Sequence, residues 1–142
     1  MKEKRGTWEI QNFRDALAHE KTDSVEMAIQ NYKAILKKNP LHIDAAARLL
    51  ILYRKSKQTA TEVKFLKKII DSHEAHIESA QREWIKSHQK LANDSKPLAK
   101  MLGLLNAKEL PFYEHEVLQK WKKRLELLEH KLPSALEKNP KN

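Results

Sequence analysis

The seven histidines are the most chemically versatile residues of this sequence, because an imidazole can bind a metal ion or move a proton near neutral pH. His73 and His76 lie three residues apart, which makes them neighbours on one face of a helix. The pattern is nevertheless unlike a metal site, since Glu74 directly follows His73 and no histidine follows a glutamate by three residues. With no cysteine to complete a zinc site, the sequence predicts no metal ion and no other cofactor.

Catalytic motifs of other kinds are also missing from the sequence. The two glycines, Gly6 and Gly103, are far apart, so they cannot form a glycine-rich phosphate loop. The seven serines occur at predicted helix caps or on helix faces, with no nucleophile motif around them. We therefore expect a protein that is not an enzyme and has no catalytic residues.

An excess of basic residues is the feature of the composition that suggests a partner. The net charge is +9, and the excess is densest between residues 41 and 72. The basic face predicted there consists of Arg48, Arg54, Lys55, Lys57, Lys64, Lys67 and Lys68. Such a face attracts nucleic acid or an acidic protein. Lysine far outnumbers arginine, and few aromatic residues are available to stack on bases. We therefore predict protein binding as the function, with nucleic-acid binding as the alternative.

The elements that position these residues are predicted to be helices. Good helix formers dominate the 142 residues, and a chain of this length fits one domain that buries roughly 68–70% of its unfolded surface. We predict a single all-α domain over residues 1–132 and a flexible tail over residues 133–142. The sequence has neither a signal peptide nor an apolar run long enough to cross a membrane, and it lacks cysteine. A cytoplasmic protein with no membrane partner is therefore expected.

Apolar periodicity and capping signals predict three helices in the first part of the chain. The first covers about residues 7–19, and the third covers about residues 42–57. The second begins at a capping box formed by Asp23 and Glu26 and ends before Pro40, which lacks an amide donor. The third helix is apolar on nearly all sides, so it must be covered by more than one neighbour.

Four further helices are predicted in the second part. Thr59 and Glu62 form a capping box for the fourth, which breaks at residues 71–73, and the fifth continues to about residue 93. Asp94 and Ser95 cap the sixth, which uses as core residues Leu98, Met101, Leu102 and Leu105. The seventh begins near Pro111 and has an apolar seam formed by Leu118, Trp121, Leu125, Leu128 and Leu132. This seam predicts either an intramolecular capping helix or a homodimer through residues 112–132.

Four residues of the second helix carry a resemblance to a known family. Ala28, Tyr32, Ile35 and Pro40 are separated by four, three and five residues, which resembles the second half of a tetratricopeptide repeat. A shift by the family's period of about 34 residues takes His19 to Tyr53, where the family has an aromatic residue. The resemblance implies antiparallel helix pairs stacked as a short solenoid, with the last helix as a cap. An irregular helical bundle is the alternative architecture.

The same resemblance implies where a partner would bind. In this family the first helix of each pair lines a concave groove that takes a peptide or a helix of another protein. By position, the predicted groove would be lined by Ile10, Phe13, Leu17, Asp44, Ala47, Ile51 and Arg54. We therefore expect a protein–protein interaction scaffold with a mostly apolar binding groove, although the same residues could instead be part of the core.

Overall fold

The computed structural model describes residues 2–112 and 115–138, and the side chains of residues 6–112 and 115–131. It confirms the all-α prediction. The described residues contain six helices, which are α1 (Lys2–Lys21), α2 (Val25–Lys38), α3 (Ile43–Lys55), α4 (Thr59–Ser87), α5 (Gln89–Met101) and α6 (Glu116–Lys138). Within the same residues the one β-type pairing is an isolated bridge between Leu105 and Pro111.

The first three helices enclose an N-terminal core. Its fully or nearly fully buried residues are Ala16, Ala28, Tyr32, Ile35, Ala45, Leu49, Leu52 and Tyr53. The carboxylate of Glu20 on α1 ties these helices together, because it accepts hydrogen bonds from the Tyr32 hydroxyl on α2 and from the Arg48 guanidinium on α3. Three of the four residues that carry the family resemblance therefore form part of a packed core.

A second core lies between α3, α4 and α6. Its buried residues are Ala46, Leu50, Val63, Leu66, Ile69, Ile70, Leu118, Trp121 and Leu128. Helix α3 contributes to both cores, as its nearly all-round apolar surface predicts. Consecutive helices from α1 to α4 thus pack each against the next, whereas α6 returns to pack on α4.

The predicted break at residues 71–73 is wrong, because α4 continues without interruption to Ser87. Asp71, Ser72 and His73 are modest helix formers, each costing roughly half a kcal/mol relative to alanine, and neither glycine nor proline lies among them. Burial of His73 and of the neighbouring Ile69 and Ile70 against α6 offsets this cost. Tertiary packing therefore outweighs the local break signal.

Both predicted capping boxes are also wrong. Ser24 is the N-cap of α2, while Asp23 lies just before it with a φ of 59°. Gln58 is the N-cap of α4, and Glu62 is buried in a salt bridge with Arg124 of α6 instead of capping the helix.

Helix α6 runs antiparallel to α4. Glu62 near the start of α4 pairs with Arg124, and Glu74 farther along α4 pairs with Lys122. The predicted seam of α6 faces α4, since Leu118, Trp121 and Leu128 are all buried in the second core.

These three residues of the seam are therefore covered within the chain, as a capping helix requires, and the side chain of Leu132 lies outside the described residues. The homodimer through residues 112–132 stays a prediction. Helix α6 begins at Glu116, not near Pro111. It also extends to Lys138, beyond the predicted start of the tail, and the rest of that tail lies outside the described residues.

Candidate functional site

The residues of the predicted groove differ in their environments. Ile10, Asp44 and Arg54 are exposed, whereas Leu17, Ala47 and Ile51 are half-buried and belong to neither core. Phe13 packs against the N-terminal core, with its ring edge on Tyr32 at 5.6 Å between centroids. The same ring stacks on His42 at 5.9 Å, so Phe13 has a structural role at the contact between α1 and α3.

The predicted basic face is mostly open to solvent. Arg48 is engaged, because its guanidinium forms a salt bridge with Glu20. The other basic residues of this face are exposed and form no salt bridge within residues 2–112 and 115–138; they are Arg54, Lys55, Lys57, Lys64, Lys67 and Lys68.

A different region concentrates the exposed apolar side chains. We call residues 81–112 the arm; it comprises the end of α4, all of α5 and the loop that follows α5. Of the ten large apolar side chains that are exposed in the described residues, seven lie in the arm, namely Trp84, Leu91, Leu98, Met101, Leu102, Leu104 and Phe112. Met101 is 78% exposed and Phe112 is 65% exposed. No residue of α5 is buried, so the apolar face of this helix is not used by the rest of the described chain.

Two leucines of α5 and the leucine at its C-cap form one stripe. At about 100° per residue, Leu91, Leu98 and Leu102 fall within a sector of roughly 40° on the helix surface. Ala92 and Ala99 lie beside this stripe on one flank, where they line a cavity. The apolar stripe and the cavity are thus adjacent parts of one surface.

The cavity lies between α4 and α5 and has a volume of about 310 Å³. Trp84 and Ile85 line it from α4, Ala92 and Ala99 from α5, and Leu105 and Pro111 from the loop, with polar residues at Gln81, Asn93, Ser95, Lys96 and Glu109. A cavity of this size can accept one large side chain of another molecule.

Residues of α4 form and border this cavity. The Trp84 ring stacks on His88 with centroids 4.4 Å apart, at the break between α4 and α5. Gln81 donates a hydrogen bond of 3.0 Å from Nε2 to the carbonyl oxygen of Pro111. This bond separates the cavity from a wider cleft, since Gln81 and Pro111 line both.

Charged contacts hold the loop against α5. The Glu109 carboxylate bridges Lys96 and Lys100 with N–O distances of 2.7 Å to each. Hydrogen bonds from Lys100 and Lys96 lower the pKa of Glu109 to about 2. Glu109 has a φ of 61°, and Gly103 at the end of α5 has a φ of 70°, which a residue without a Cβ adopts at little cost.

The middle of the loop is also tied to α4, and hydrogen bonds within the loop hold its shape. Glu78 forms salt bridges with Arg82 and Lys108, and hydrogen bonds from Arg82 and Lys108 lower the pKa of Glu78. The Asn106 side chain accepts hydrogen bonds from the amides of Lys108 and Leu110. Leu110 is buried, so it anchors the loop.

The wider cleft lies between α4, the loop and the start of α6, with a volume of about 600 Å³. Its acidic residues include Glu78, which pairs with Arg82 and Lys108, and Glu74, which pairs with Lys122. In the described part of the chain, no three histidine or acidic side chains lie together as a metal ion would require. The cleft therefore combines these ion pairs with apolar walls, which include Ile77, Phe112 and Leu118.

The prediction that Leu98, Met101 and Leu102 are core residues is wrong, because all three are exposed. The predicted cap at Asp94 and Ser95 is also wrong, because both lie inside α5. The spacing of Leu91, Leu98 and Leu102 does indicate an amphipathic face. That spacing cannot reveal whether a neighbouring helix covers the face.

Comparison of the chain with known protein families, with curated proteins and with solved structures found no match. Among the described residues, no helix combines the length and the apolar character needed to cross a membrane. The function of the chain is therefore inferred from its own surface.

Proposed function

We propose that this chain is a non-catalytic protein-binding module and that the arm is its principal docking surface for a helix or peptide of another protein. The observation that carries the proposal is the set of seven exposed apolar side chains on 32 consecutive residues. Exposed apolar patches on folded domains mark interaction sites, and the stripe of Leu91, Leu98 and Leu102 beside the cavity is such a patch.

The poor internal support of α5 strengthens this proposal. Pro97 lies inside α5, where it removes one helical hydrogen bond and costs about 3 kcal/mol relative to alanine. Helix α5 gains little from burial, since it has no buried residue. A helix with an apolar stripe and weak packing is typical of an element that gains stability from a partner.

The groove predicted from the family resemblance is a second surface for the same kind of function. Ile10 is exposed, and Leu17, Ala47 and Ile51 lie outside both cores. These residues leave an apolar strip along α1 and α3 available for a peptide. The arm is the stronger candidate because its apolar side chains are larger and more exposed, and because they border a cavity.

Nucleic-acid binding is the second candidate function. It is favoured by the six exposed basic residues between Arg54 and Lys68 that form no salt bridge within the described residues. Against it, these residues are mostly lysines, which bind phosphate as point charges, and the exposed aromatic residues lie far along the chain in the arm.

Site-specific photo-cross-linking in the native host tests the docking proposal. A photo-reactive amino acid at Leu98 should form an adduct of discrete mass with another protein, while the same amino acid at Leu127, an exposed apolar site on α6, should not. Competition by the unmodified chain should remove the adduct. No protein adduct at Leu98, or equal adducts at both positions, would contradict the arm as a docking surface.

A further inference from the structure

We infer that the arm takes an amphipathic helix of a partner protein whose apolar seam is flanked by acidic residues, with one bulky apolar side chain entering the cavity between α4 and α5. This inference rests on the proposed protein-binding function and names the chemistry of the partner. Its elements are the shape of the apolar surface, the cavity beside it and the charges around it.

The shape of the surface favours a helix. The stripe from Leu91 to Leu102 extends over about three helical turns, which corresponds to roughly 17 Å at 1.5 Å per residue. A partner helix with apolar side chains at i, i+4, i+7 and i+11 spans the same distance, because eleven residues also rise roughly 17 Å. Packing of such a helix against α5 buries the leucine stripe and the apolar face of the partner along their length.

The cavity gives the partner helix an anchor point. Its walls include Trp84, Ile85 and Leu105, and the two alanines of α5 leave the space between them open. A large aliphatic or aromatic side chain fills such a space and makes many dispersion contacts with its walls. The concave shape suits a side chain of a folded partner better than the flat surface of a lipid bilayer.

The net charge of the arm favours an acidic partner. Six basic residues and three acidic residues lie in the arm, a balance of +3, and the whole chain carries +9. Lys96 and Glu109 line the cavity, and Lys96 shares the Glu109 carboxylate with Lys100, so this cluster keeps a net positive charge. Lys86 and Lys90, at the α4–α5 break, form no salt bridge within the described residues, although Glu83 and Asp94 lie nearby in the chain.

The same charge balance argues against a second copy of this chain as the occupant. Two copies would bring two positively charged arms together, and like charges that face each other across an interface are unfavourable. An acidic helix instead gains from the long-range field of the whole chain, which raises its rate of association at low salt.

Selection of displayed helices by the full-length chain tests the inference. The probe is a peptide library with leucine fixed at i, i+4, i+7 and i+11, with Glu, Lys or Gln at the flanking positions and Ala, Leu, Phe or Trp at one central seam position. We expect selection to enrich glutamate at the flanks and a bulky residue at the centre. Enrichment of lysine or glutamine at the flanks, or of alanine at the centre, would overturn the inference.

Variants of the chain connect the selection to the arm. Reversing the two free cations, with Lys86→Glu and Lys90→Glu, should weaken a selected acidic peptide about tenfold and move the preference towards lysine. Lys64→Glu with Lys68→Glu is the matched control, because both are exposed lysines of α4 outside the arm without a salt bridge in the described residues, and it should change affinity much less.

A substitution inside the cavity tests the anchor. Ala99→Phe should fill the cavity, so that peptides with alanine at the centre bind at least as well as those with tryptophan. Circular dichroism should show the helical signal of the parent chain. An unchanged preference for bulky residues in this variant would refute the anchor.

Two further measurements separate this inference from the proposed function. If Leu98 cross-links to a protein but no acidic helix is selected, the docking surface stands and the chemistry of the partner is wrong. Binding to vesicles of phosphatidylcholine and phosphatidylglycerol that Leu98→Glu abolishes, or self-association through the same residue in sedimentation, would assign the arm to a different occupant and refute the inference.

Discussion

His73 is an unusual residue of the interface between α4 and α6. It is 7% exposed, and its Nε2 atom has no hydrogen-bond partner among the described residues. Its ring and that of Trp121 form a T-shaped pair with centroids 5.3 Å apart, and the centroid of the His115 ring lies 6.4 Å away. Burial, together with the nearby His115 and His76, lowers the pKa of His73, because these surroundings disfavour the charged imidazole.

The chain should therefore lose stability as the pH falls below about 6.5, the ordinary pKa of histidine. Above that pH, His73 is neutral in both the folded and the unfolded chain. Below that pH, His73 binds a proton in the unfolded chain but not in the folded chain, so the free energy of unfolding decreases. The decrease ends once the pH falls below the pKa of His73 in the folded chain. Urea unfolding at several pH values between 8 and 5 should show a smaller loss for His73→Phe than for the parent chain.

His130→Gln is the control for this measurement, since His130 is exposed on α6. It should keep the pH dependence of the parent chain. An identical slope in the parent chain and in His73→Phe would show that other groups cause the pH dependence.

The salt bridge between Glu62 and Arg124 is the second residue-scale feature. Glu62 is 1% exposed, and its two oxygens accept hydrogen bonds from Arg124 at 3.0 and 3.3 Å. Arg124→Ala leaves a buried carboxylate without its partner, so we expect a loss of about 3 kcal/mol in the free energy of unfolding. Replacement of both residues by leucine should recover most of this loss.

Lys122→Ala provides the comparison for Arg124→Ala. Lys122 lies on the same helix, but its salt bridge with Glu74 is about half exposed on both sides, and pairs of that kind contribute about 1 kcal/mol or less. Chemical denaturation measures both variants. Equal losses for Arg124→Ala and Lys122→Ala would contradict the importance of the buried pair.

At the scale of elements, α4 and α5 differ in how much tertiary packing stabilises them. Helix α4 has 29 residues and is held by both α3 and α6, whereas α5 has 13 residues, none of them buried. Helix α5 depends on the Glu109 bridge to Lys96 and Lys100 and on the cap at Gly103. It should therefore open more readily than α4 in the free chain, since stability within a domain is uneven.

Pro97→Ala should stabilise α5 specifically. Alanine restores the amide donor that proline lacks and improves the helix by up to about 3 kcal/mol, which would slow hydrogen exchange of the α5 amides by up to about a hundredfold. Exchange of the α4 amides between Val63 and Ile70 serves as the internal control and should not change. Unchanged exchange in α5 would mean that its opening does not depend on this proline.

At the scale of the whole molecule, charge and architecture set which partners are favoured. The chain carries +9, and the basic face between Arg54 and Lys68 is open to solvent, so weak attraction to any polyanion follows from electrostatics alone. The docking proposal predicts that this attraction is non-specific.

A duplex oligonucleotide should accordingly bind only weakly, with a dissociation constant on the order of 10⁻⁴–10⁻⁶ M at physiological salt that rises steeply as salt is added. Lys64→Glu, Lys67→Glu and Lys68→Glu together should remove most of the binding seen at low salt. Fluorescence anisotropy of a labelled oligonucleotide measures the dissociation constant. Tight, sequence-selective binding at physiological salt would instead favour the nucleic-acid function.

Much of the fold follows from local sequence signals. The periodicity of Ala28, Tyr32 and Ile35 identifies the buried face of α2, and the seam of Leu118, Trp121 and Leu128 identifies that of α6. These predictions succeed because a helix of good helix formers needs only one apolar stripe to define its inner side. The all-α class and the double coverage of α3 follow in the same way.

The sequence by itself determined the fold class and the faces of most helices, and the tertiary structure decided which faces are covered. Helix α6 packs against α4 although the two are about fifty residues apart along the chain. Because of this packing, α4 continues through His73. Glu62, which was predicted to cap the helix, forms a buried ion pair with Arg124. Leu91, Leu98 and Leu102 have the spacing of core residues, yet no helix of the described chain reaches them. Helical periodicity is a local property, whereas burial depends on contacts between distant segments, and the candidate site exists because those contacts are missing at α5.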